Sequence, residues 1–142
     1  MRLLPLLATL IALATPVMAE IHEVLMLNRN DTGGMVYQPD FLRIAPGDTV
    51  KFIATHPSHN AASIAGMLPE GAARFLGKIN EEIAVTLTAQ GTYGVKCSPH
   101  YTMGMVMLIE VGDGNPDPAT FPADMPPAAR QRFSDILARI SE

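Results

Sequence analysis

The sequence predicts an all-β protein: an antiparallel β-sandwich followed by one α-helix at the C-terminal end. Three observations support this prediction. Short apolar segments separated by Gly, Pro, Asn and Asp recur from Ile21 to Val111, as in sandwiches and barrels. That range has no strand–helix–strand pattern of the kind a parallel sheet requires. The end of the chain instead spaces apolar residues at helical intervals, at Phe133, Ile136, Leu137 and Ile140.

Residues 1–19 have the pattern of a secretory signal peptide. Arg2 supplies the positive charge, residues 3–14 are apolar, and Val17-Met18-Ala19 resembles a small-residue cleavage site. The apolar run is too short to span a bilayer as a stable helix. We therefore expect cleavage after Ala19 and export of residues 20–142. Residues 20–112 then form the sandwich, and residues 113–142 form a linker and a helix packed on it.

Four strands are expected in the first half of the sandwich. The first covers residues 21–28 and ends at a turn over residues 30–34. Residues 35–37 lead to residues 41–44, with Pro39 between them as an edge or bend. Pro46-Gly47-Asp48 has turn chemistry, and the alternating pattern of the next strand follows it directly.

The last three strands place the residues with metal chemistry. Residues 82–88 form one strand. Tyr93, Val95 and Cys97 then share one face of the next strand, and residues 105, 107, 109 and 111 share one face of the last. Cys97 therefore ends a strand facing inward and Met105 begins the next strand facing inward. The loop between them can wrap a single ion.

A Pro-rich linker and an amphipathic helix are expected after the last strand. The linker covers residues 112–127 and has room for one short helical turn. Asp124 is the expected N-cap, with Pro126 and Pro127 in the first turn. The polar face of the helix mixes basic and acidic residues, so we expect it to cover the sheet and not to bind a partner or a membrane surface.

The sequence Cys97-x2-His100-x4-Met105 contains the single cysteine of the chain. Thiolate and thioether favour Cu(I), imidazole suits both oxidation states, and two histidines with one cysteine and a weak axial Met form a blue-copper site. His56 or His59 supplies the second imidazole. A buried inert cysteine beside core methionines is the alternative. An unpaired thiol in an exported chain favours the metal. Zinc also accepts such ligands.

Composition and charge exclude several other classes of function. The formal net charge of −4 argues against nucleic acid as a partner. After the signal peptide, no segment is long enough to insert into a membrane. A single site with no open position and no catalytic triad argues against an enzyme. A copper-binding or transport protein without a redox role is the alternative function, although the methionines are scattered.

With these residues in hand, the chain resembles the pseudoazurins, small periplasmic blue-copper proteins of the cupredoxin fold, a Greek-key β-sandwich. The resemblance covers essentially the whole mature chain. It rests on Ala45–Phe52, His59-Asn60, Gly91–Cys97, the loop from Cys97 to Met105 and the C-terminal helical extension.

The resemblance implies a copper ion held by His59, Cys97, His100 and Met105. His59 is preferred to His56 because Asn60 follows it, as in the family. Met103 is a rival axial ligand, but strand parity and the family pattern favour Met105. His56 is then expected in an exposed loop and His22 in a strand or on the surface.

Two neighbours of the ligands are expected to support them. Asn60 is expected to bond across to the cysteine loop and toward the thiolate, which orients ligands and tunes the potential. Pro99 restricts the loop beside His100 and lacks a donor that might otherwise reach the sulfur.

By resemblance, the chain is a periplasmic one-electron carrier that acts as a monomer. Nitrite reductase, a denitrification enzyme, is the expected acceptor, and a cytochrome c or similar protein is the expected donor. The partner-docking patch is expected around the exposed edge of His100. Its expected members are Met35, Pro99, Met103, Lys51, Lys78 and Lys96.

Overall fold

The computed structural model describes residue 14 and residues 16–142. Most of the predicted signal peptide lies outside the described residues, so its cleavage stays a prediction. Among the helices of the described part, none has the length and hydropathy of a membrane span.

Two four-stranded sheets make up the body of the protein over the described residues. The first sheet has the order β2-β1-β4-β6 and the second has the order β3-β8-β7-β5. The strands are β1 (Ile21–Asn30), β2 (Gly33–Gln38), β3 (Phe41–Ile44), β4 (Thr49–Ile53), β5 (Ala62–Ser63), β6 (Ile83–Thr86), β7 (Gly91–Lys96) and β8 (Val106–Val111). Helix α1 (Pro127–Ile140) follows, and short 3-10 segments cover Ser98–Met103 and Pro118–Thr120.

The predicted β-sandwich with a C-terminal helix is confirmed. Each sheet also contains one parallel pair, β1 with β4 in the first sheet and β3 with β8 in the second. The sequence pattern did not indicate these pairs. Alternation along a strand reports which face is buried, but it carries no information about the direction of a neighbour that is distant in the chain.

The first hairpin is tighter than the sequence predicted. The turn consists of Asp31 and Thr32, and β1 continues to Asn30, which pairs with Gly33. The side chain of Asn30 closes the turn, since its Oδ1 accepts hydrogen bonds from the Thr32 N–H at 2.8 Å and from the Thr32 hydroxyl at 2.7 Å. β6 is also shorter than the predicted strand over residues 82–88.

Apolar side chains fill two cores, and β8 contributes to both. Met105, Met107, Ile109 and Val111 face the core between the two sheets, where Cys97 also lies. Val106 and Leu108 face the opposite way, into a core shared with α1. Every residue of β8 is buried, since one of its faces packs on the first sheet and the other on the helix.

Helix α1 begins at Pro127, and the prediction of Asp124 as its N-cap is wrong. Pro126 occupies the cap position and gives no side-chain hydrogen bond, while its carbonyl accepts from the Arg130 N–H at 3.0 Å. Pro127 needs no cap partner because proline has no N–H. The helix buries Ala129, Phe133 and Ile136 against the second sheet.

Candidate metal centre

The hairpin of β7 and β8 holds the loop that carries three of the predicted metal ligands. The Cys97 N–H donates to the Met105 carbonyl at 3.0 Å and closes the hairpin. Inside the loop, the His100 N–H donates to the Cys97 carbonyl and the Met105 N–H donates to the His100 carbonyl, each at 3.1 Å. Gly104 has φ 85°, a left-handed conformation that lets the chain re-enter the sheet. His100 therefore lies at the tip, between two inward-facing residues.

His59 reaches the same point from the segment between β4 and β5. Its side chain is fully buried, and its carbonyl accepts a hydrogen bond from the Asn80 N–H at 2.8 Å. His56, the other candidate, is half-buried and turned elsewhere: its Nδ1 accepts from the Asn28 N–H at 2.9 Å.

Three donor atoms converge at one point. Cys97 Sγ lies 3.4 Å from His100 Nδ1 and 3.7 Å from His59 Nδ1, and the two Nδ1 atoms are 3.1 Å apart. A metal with bonds of ~2.0 Å to nitrogen and ~2.3 Å to sulfur separates its donors by about 3 to 4 Å. The spacing of these atoms fits one ion of that size.

Met105 and Met103 occupy different environments. Met105 is fully buried in the core between the sheets, which also contains Cys97. Met103 is 54% exposed on the loop. The thioether of Met105 is therefore on the inner side of the loop, as strand parity predicts, and Met103 is on the outer side.

Burial moves the pKa values of two donors in opposite directions. It lowers the pKa of His59, with smaller contributions from His100 and His56, so its ring stays neutral. Burial raises the pKa of the Cys97 thiol, although hydrogen bonds from the main chain of Asn60 and His100 oppose it. A thiolate here needs a compensating positive charge, and neutral imidazole is the form that binds metals. The electrostatics therefore suit a cation.

Asn60 links the His59 segment to the cysteine loop. Its Oδ1 accepts from the Ser98 N–H at 2.6 Å, and its Nδ2 donates to Ser98 Oγ and to the Gly77 carbonyl, each at 3.0 Å. The Tyr37 hydroxyl donates to the Asn60 carbonyl at 2.7 Å. These bonds fix the separation of the two segments that supply the donors. Pro99 is exposed, next to His100 at the start of the 3-10 segment.

Asn28 is a site residue that the sequence did not reveal. The His59 Nε2–H donates to its Oδ1 at 2.8 Å, which leaves the lone pair of Nδ1 directed toward Cys97. Asn28 lies on β1, 31 residues before His59. Its only signal was a polar residue near a strand end, which is common in any sheet.

Removing the side-chain oxygen of Asn28 should weaken copper binding. We expect Asn28→Ala to lose about 10- to 100-fold in copper affinity, because the His59 ring loses the bond that sets its orientation and tautomer. Competition with a chelator of known affinity measures the loss. Glu23→Ala, a change at an exposed position of the same strand, is the control and should keep the affinity of the parent. Equal affinities in the two variants would contradict this role for Asn28.

The residues of the predicted partner-docking patch are distributed unevenly. Pro99 and Met103 are exposed on the loop around His100, and Met35 is half-buried against the core between the sheets. Lys96 Nζ lies 5.0 Å from the centre of the Tyr101 ring, at the end of β7. Lys78 is exposed beside the Gly77 carbonyl that Asn60 binds.

Lys51 differs from the other two lysines of the predicted patch. It lies in the middle of β4, opposite Ala84 of β6. Its ammonium is 3.4 Å from the Glu82 carboxylate, which offsets its charge. Of these lysines, Lys96 is therefore next to the cysteine loop and Lys78 is next to the residue that Asn60 of the His59 segment binds.

Comparisons with known proteins agree with this geometry. The family described as copper binding proteins, plastocyanin/azurin family, matches residues 24–112. The chain is 48% identical over 136 residues to a pseudoazurin of Paracoccus pantotrophus, covering 94% of this chain and 93% of the relative.

Two solved pseudoazurin structures have the same fold. One, from Sinorhizobium meliloti, superposes with a TM-score of 0.81 at 40% identity, covering 87% of this chain and 98% of that one. The other, from Methylobacterium extorquens AM1, gives 0.78 at 37% identity, covering 84% and 98%.

Copper fits the donor set that the fold brings together. The soft thiolate and the two imidazoles converge, and a buried thioether lies on the inner side of the same loop. Family match, similarity and donor chemistry agree, and the chain belongs to the pseudoazurins, within the plastocyanin/azurin family of copper-binding proteins.

Proposed function

We propose that this chain is a one-electron carrier of the periplasm and that His100 is the edge through which electrons enter and leave. The burial of the donors carries the proposal. His59, Cys97 and Met105 are fully buried, whereas His100 is half-exposed at the tip of the loop. When bound, copper supplies a Cu(II)/Cu(I) couple that differs by one electron. A partner at the tip contacts the ring of His100 and no other donor.

The residues around the donors restrict their movement. Asn28 holds the His59 ring, Asn60 holds the loop at Ser98, and the hairpin bond between Cys97 and Met105 holds the loop ends. Donors positioned in this way need little rearrangement when the charge of the site changes. A small rearrangement favours fast electron transfer, and this supports a carrier over a protein that must release its metal.

His59, Cys97, His100 and Met105 are the proposed copper ligands, with Met105 in the axial position. Replacing an axial thioether with the harder oxygen of glutamine favours Cu(II). We therefore expect Met105→Gln to lower the reduction potential and Met103→Gln to leave it unchanged, as measured by voltammetry. A shift in the Met103 variant alone would assign the axial position to Met103.

The proposed docking face is the surface around His100. Pro99 and Met103 give it an apolar centre, Lys96 directly precedes Cys97, and Lys78 directly follows Gly77, whose carbonyl accepts from Asn60. Weak transient complexes use small interfaces of this kind. We propose a nitrite reductase as the acceptor and a cytochrome c or similar protein as the donor, both met by a monomer of this chain.

Charge at the docking face should control the association rate. We expect Lys78→Glu to slow electron transfer to an acidic partner by about two- to tenfold at low salt, because charges at the rim of an interface steer encounter. Lys51→Glu is the matched control and should have a smaller effect, since the Lys51 charge is already paired. Stopped-flow rates at rising salt measure both. A wild-type rate independent of salt would leave apolar contact as the sole recognition term.

The visible spectrum and electron delivery together test the function. Copper-loaded, oxidised protein should show an intense thiolate-to-Cu(II) band. The same protein, kept reduced by an external electron donor, should pass electrons to a copper nitrite reductase over many turnovers. A protein that has the band but exchanges electrons with no redox partner would instead be a copper-binding or transport protein. Absence of the band would reject both the site and the carrier.

We also propose that the mature chain begins at Glu20, after cleavage at Val17-Met18-Ala19. Residues 20–112 would then form the sandwich, and residues 113–142 the linker and helix. The residue pattern of an n-region, an apolar run and a small-residue site supports this processing.

A further inference from the structure

A second cluster of metal-ligating side chains lies far from the copper site. Glu20, His22 and Asp48 place one ligating atom each within 4.8 Å of one another. His22 is six residues before Asn28 on the same strand, which is a distance of ~20 Å along an extended chain. This cluster therefore lies at the opposite end of β1 from Asn28, the residue that contacts His59.

Asp48 is the centre of the cluster. Its Oδ2 lies 2.8 Å from His22 Nε2 and accepts from the Ala45 N–H at 3.1 Å, and its Oδ1 accepts from the Glu20 N–H at 3.0 Å. Its side chain is only 5% exposed, whereas that of His22 is 23% exposed and that of Glu20 is 74% exposed. The turn over residues 45–48 fixes the carboxylate, and the two other residues reach it from the start of the chain.

Processing adds a further donor to this cluster. When the chain is cleaved after Ala19, the Glu20 nitrogen changes from an amide, which has no lone pair to offer, to a primary amine. That nitrogen is already 3.0 Å from Asp48 Oδ1. The two nitrogen donors then lie on the two oxygens of one buried carboxylate, with the Glu20 carboxylate 3.9 Å from His22 Nε2.

We propose that the processed amino terminus is a second metal site, in which the Glu20 amine, the His22 imidazole and the Asp48 carboxylate bind a borderline divalent ion such as Zn²⁺. Mixed nitrogen and carboxylate donors are those that zinc accepts. Bonds of ~2.1 Å at ordinary coordination angles separate neighbouring donors by about 3.0 to 3.4 Å. The hydrogen-bonded pairs at 2.8 and 3.0 Å need to open only slightly to admit an ion in place of their protons.

The charge state of Asp48 favours this site. Its two oxygens accept hydrogen bonds from the Glu20 and Ala45 N–H groups and face His22 Nε2, and an aspartate carboxyl is ionised at neutral pH. A buried anion beside two nitrogen donors attracts a cation. The site rests on the processing proposed above and is independent of copper.

Zinc titration of untagged, copper-loaded protein tests the site. Two chains are compared by calorimetry at pH 8 with Zn²⁺ alone: one starts at Glu20 and the other carries one additional glycine before it. The glycine removes the amine from the cluster but keeps all three side chains. We expect one Zn²⁺ per chain in the first protein and at least about tenfold weaker binding in the second.

Substitutions then separate the side-chain donors. His22→Ala and Asp48→Asn should each weaken zinc binding by at least about tenfold, and Glu23→Gln, an exposed loss of one charge on the same strand, should not. Equal affinity in the two chains, or in the His22 variant, overturns the site. Unchanged affinity in Asp48→Asn overturns the proposed donor set and favours an amine, imidazole and main-chain chelate.

Two controls keep this proposal separate from the electron-carrier function. The intact mass of exported protein gives the natural amino terminus, and a start other than Glu20 overturns the site. The visible copper band of each variant shows that it is folded and copper-loaded. A normal band without zinc binding rejects the second site alone, whereas zinc binding without a band rejects the electron carrier alone.

Discussion

Cys97→Ser should abolish the intense visible absorption of the copper-loaded, oxidised protein. The chain has one cysteine, so no other thiolate can take its place. A serine hydroxyl is a harder donor and does not ionise near neutral pH, so the charge-transfer band of sulfur is lost. Absorption spectra and copper analysis, taken together, measure the change.

The control for Cys97→Ser is a variant of the same loop in which all the proposed copper ligands are kept. Thr102→Ala is suitable because Thr102 is exposed at the tip, and it should retain the band. Burying a hydroxyl in place of the fully buried thiol costs about 1 to 3 kcal/mol, so circular dichroism must show that the serine variant is folded. A folded serine variant that remained intensely coloured would exclude Cys97 as the copper thiolate.

Gly104→Ala should destabilise the metal-free protein by about 2 kcal/mol or more. The residue has φ 85°, which an alanine adopts only at a cost of about 1 to 2 kcal/mol. Its added Cβ would also lie 2.8 Å from the Ala128 carbonyl oxygen and 3.1 Å from the carbonyl carbon, both main-chain atoms of α1. The helix or the loop must then move. Urea unfolding followed by circular dichroism measures the loss.

Gly71→Ala separates the two contributions. Gly71 has a similar φ of 81°, but an added Cβ meets nothing within 4 Å. Its substitution should therefore cost only the backbone strain, and Gly104→Ala should cost more. A shift of the visible band in the Gly104 variant would further show that contact with α1 positions the copper loop. Equal losses of stability in the Gly71 and Gly104 variants would mean that α1 moves away from the added Cβ at no measurable cost in free energy.

Alternation along the strands was sufficient to predict the inner side of the copper loop. Cys97 and Met105 are both fully buried in the core between the sheets, as their positions directly after β7 and directly before β8 predict. This was possible because side-chain direction in a strand depends only on local parity. The short spacing from Cys97 to Met105 also kept three candidate donors on one hairpin.

Contacts between distant segments could not be predicted in the same way. The bond from His59 to Asn28 and the cluster at Asp48 both depend on which strands lie beside β1. The parallel pairing of β1 with β4 brings the Glu20 end of the chain to the turn before β4. Sheet order follows from packing of the whole domain, and no single segment encodes it.

The hydrogen bond between Cys97 and Met105 closes the β7–β8 hairpin. It divides the two strands, whose register must be kept, from the loop residues, which can be changed. Cys97 and Met105 meet at the last rung of the ladder, and the residues between them lie beyond it. Residues added or removed there leave the strand register intact, so the thiol still faces the core. The loop can therefore be replaced without changing the pairing of the two strands. Transplanted loops of other lengths should fold on this scaffold and alter the imidazole and thioether spacing, and with it the redox properties of the site.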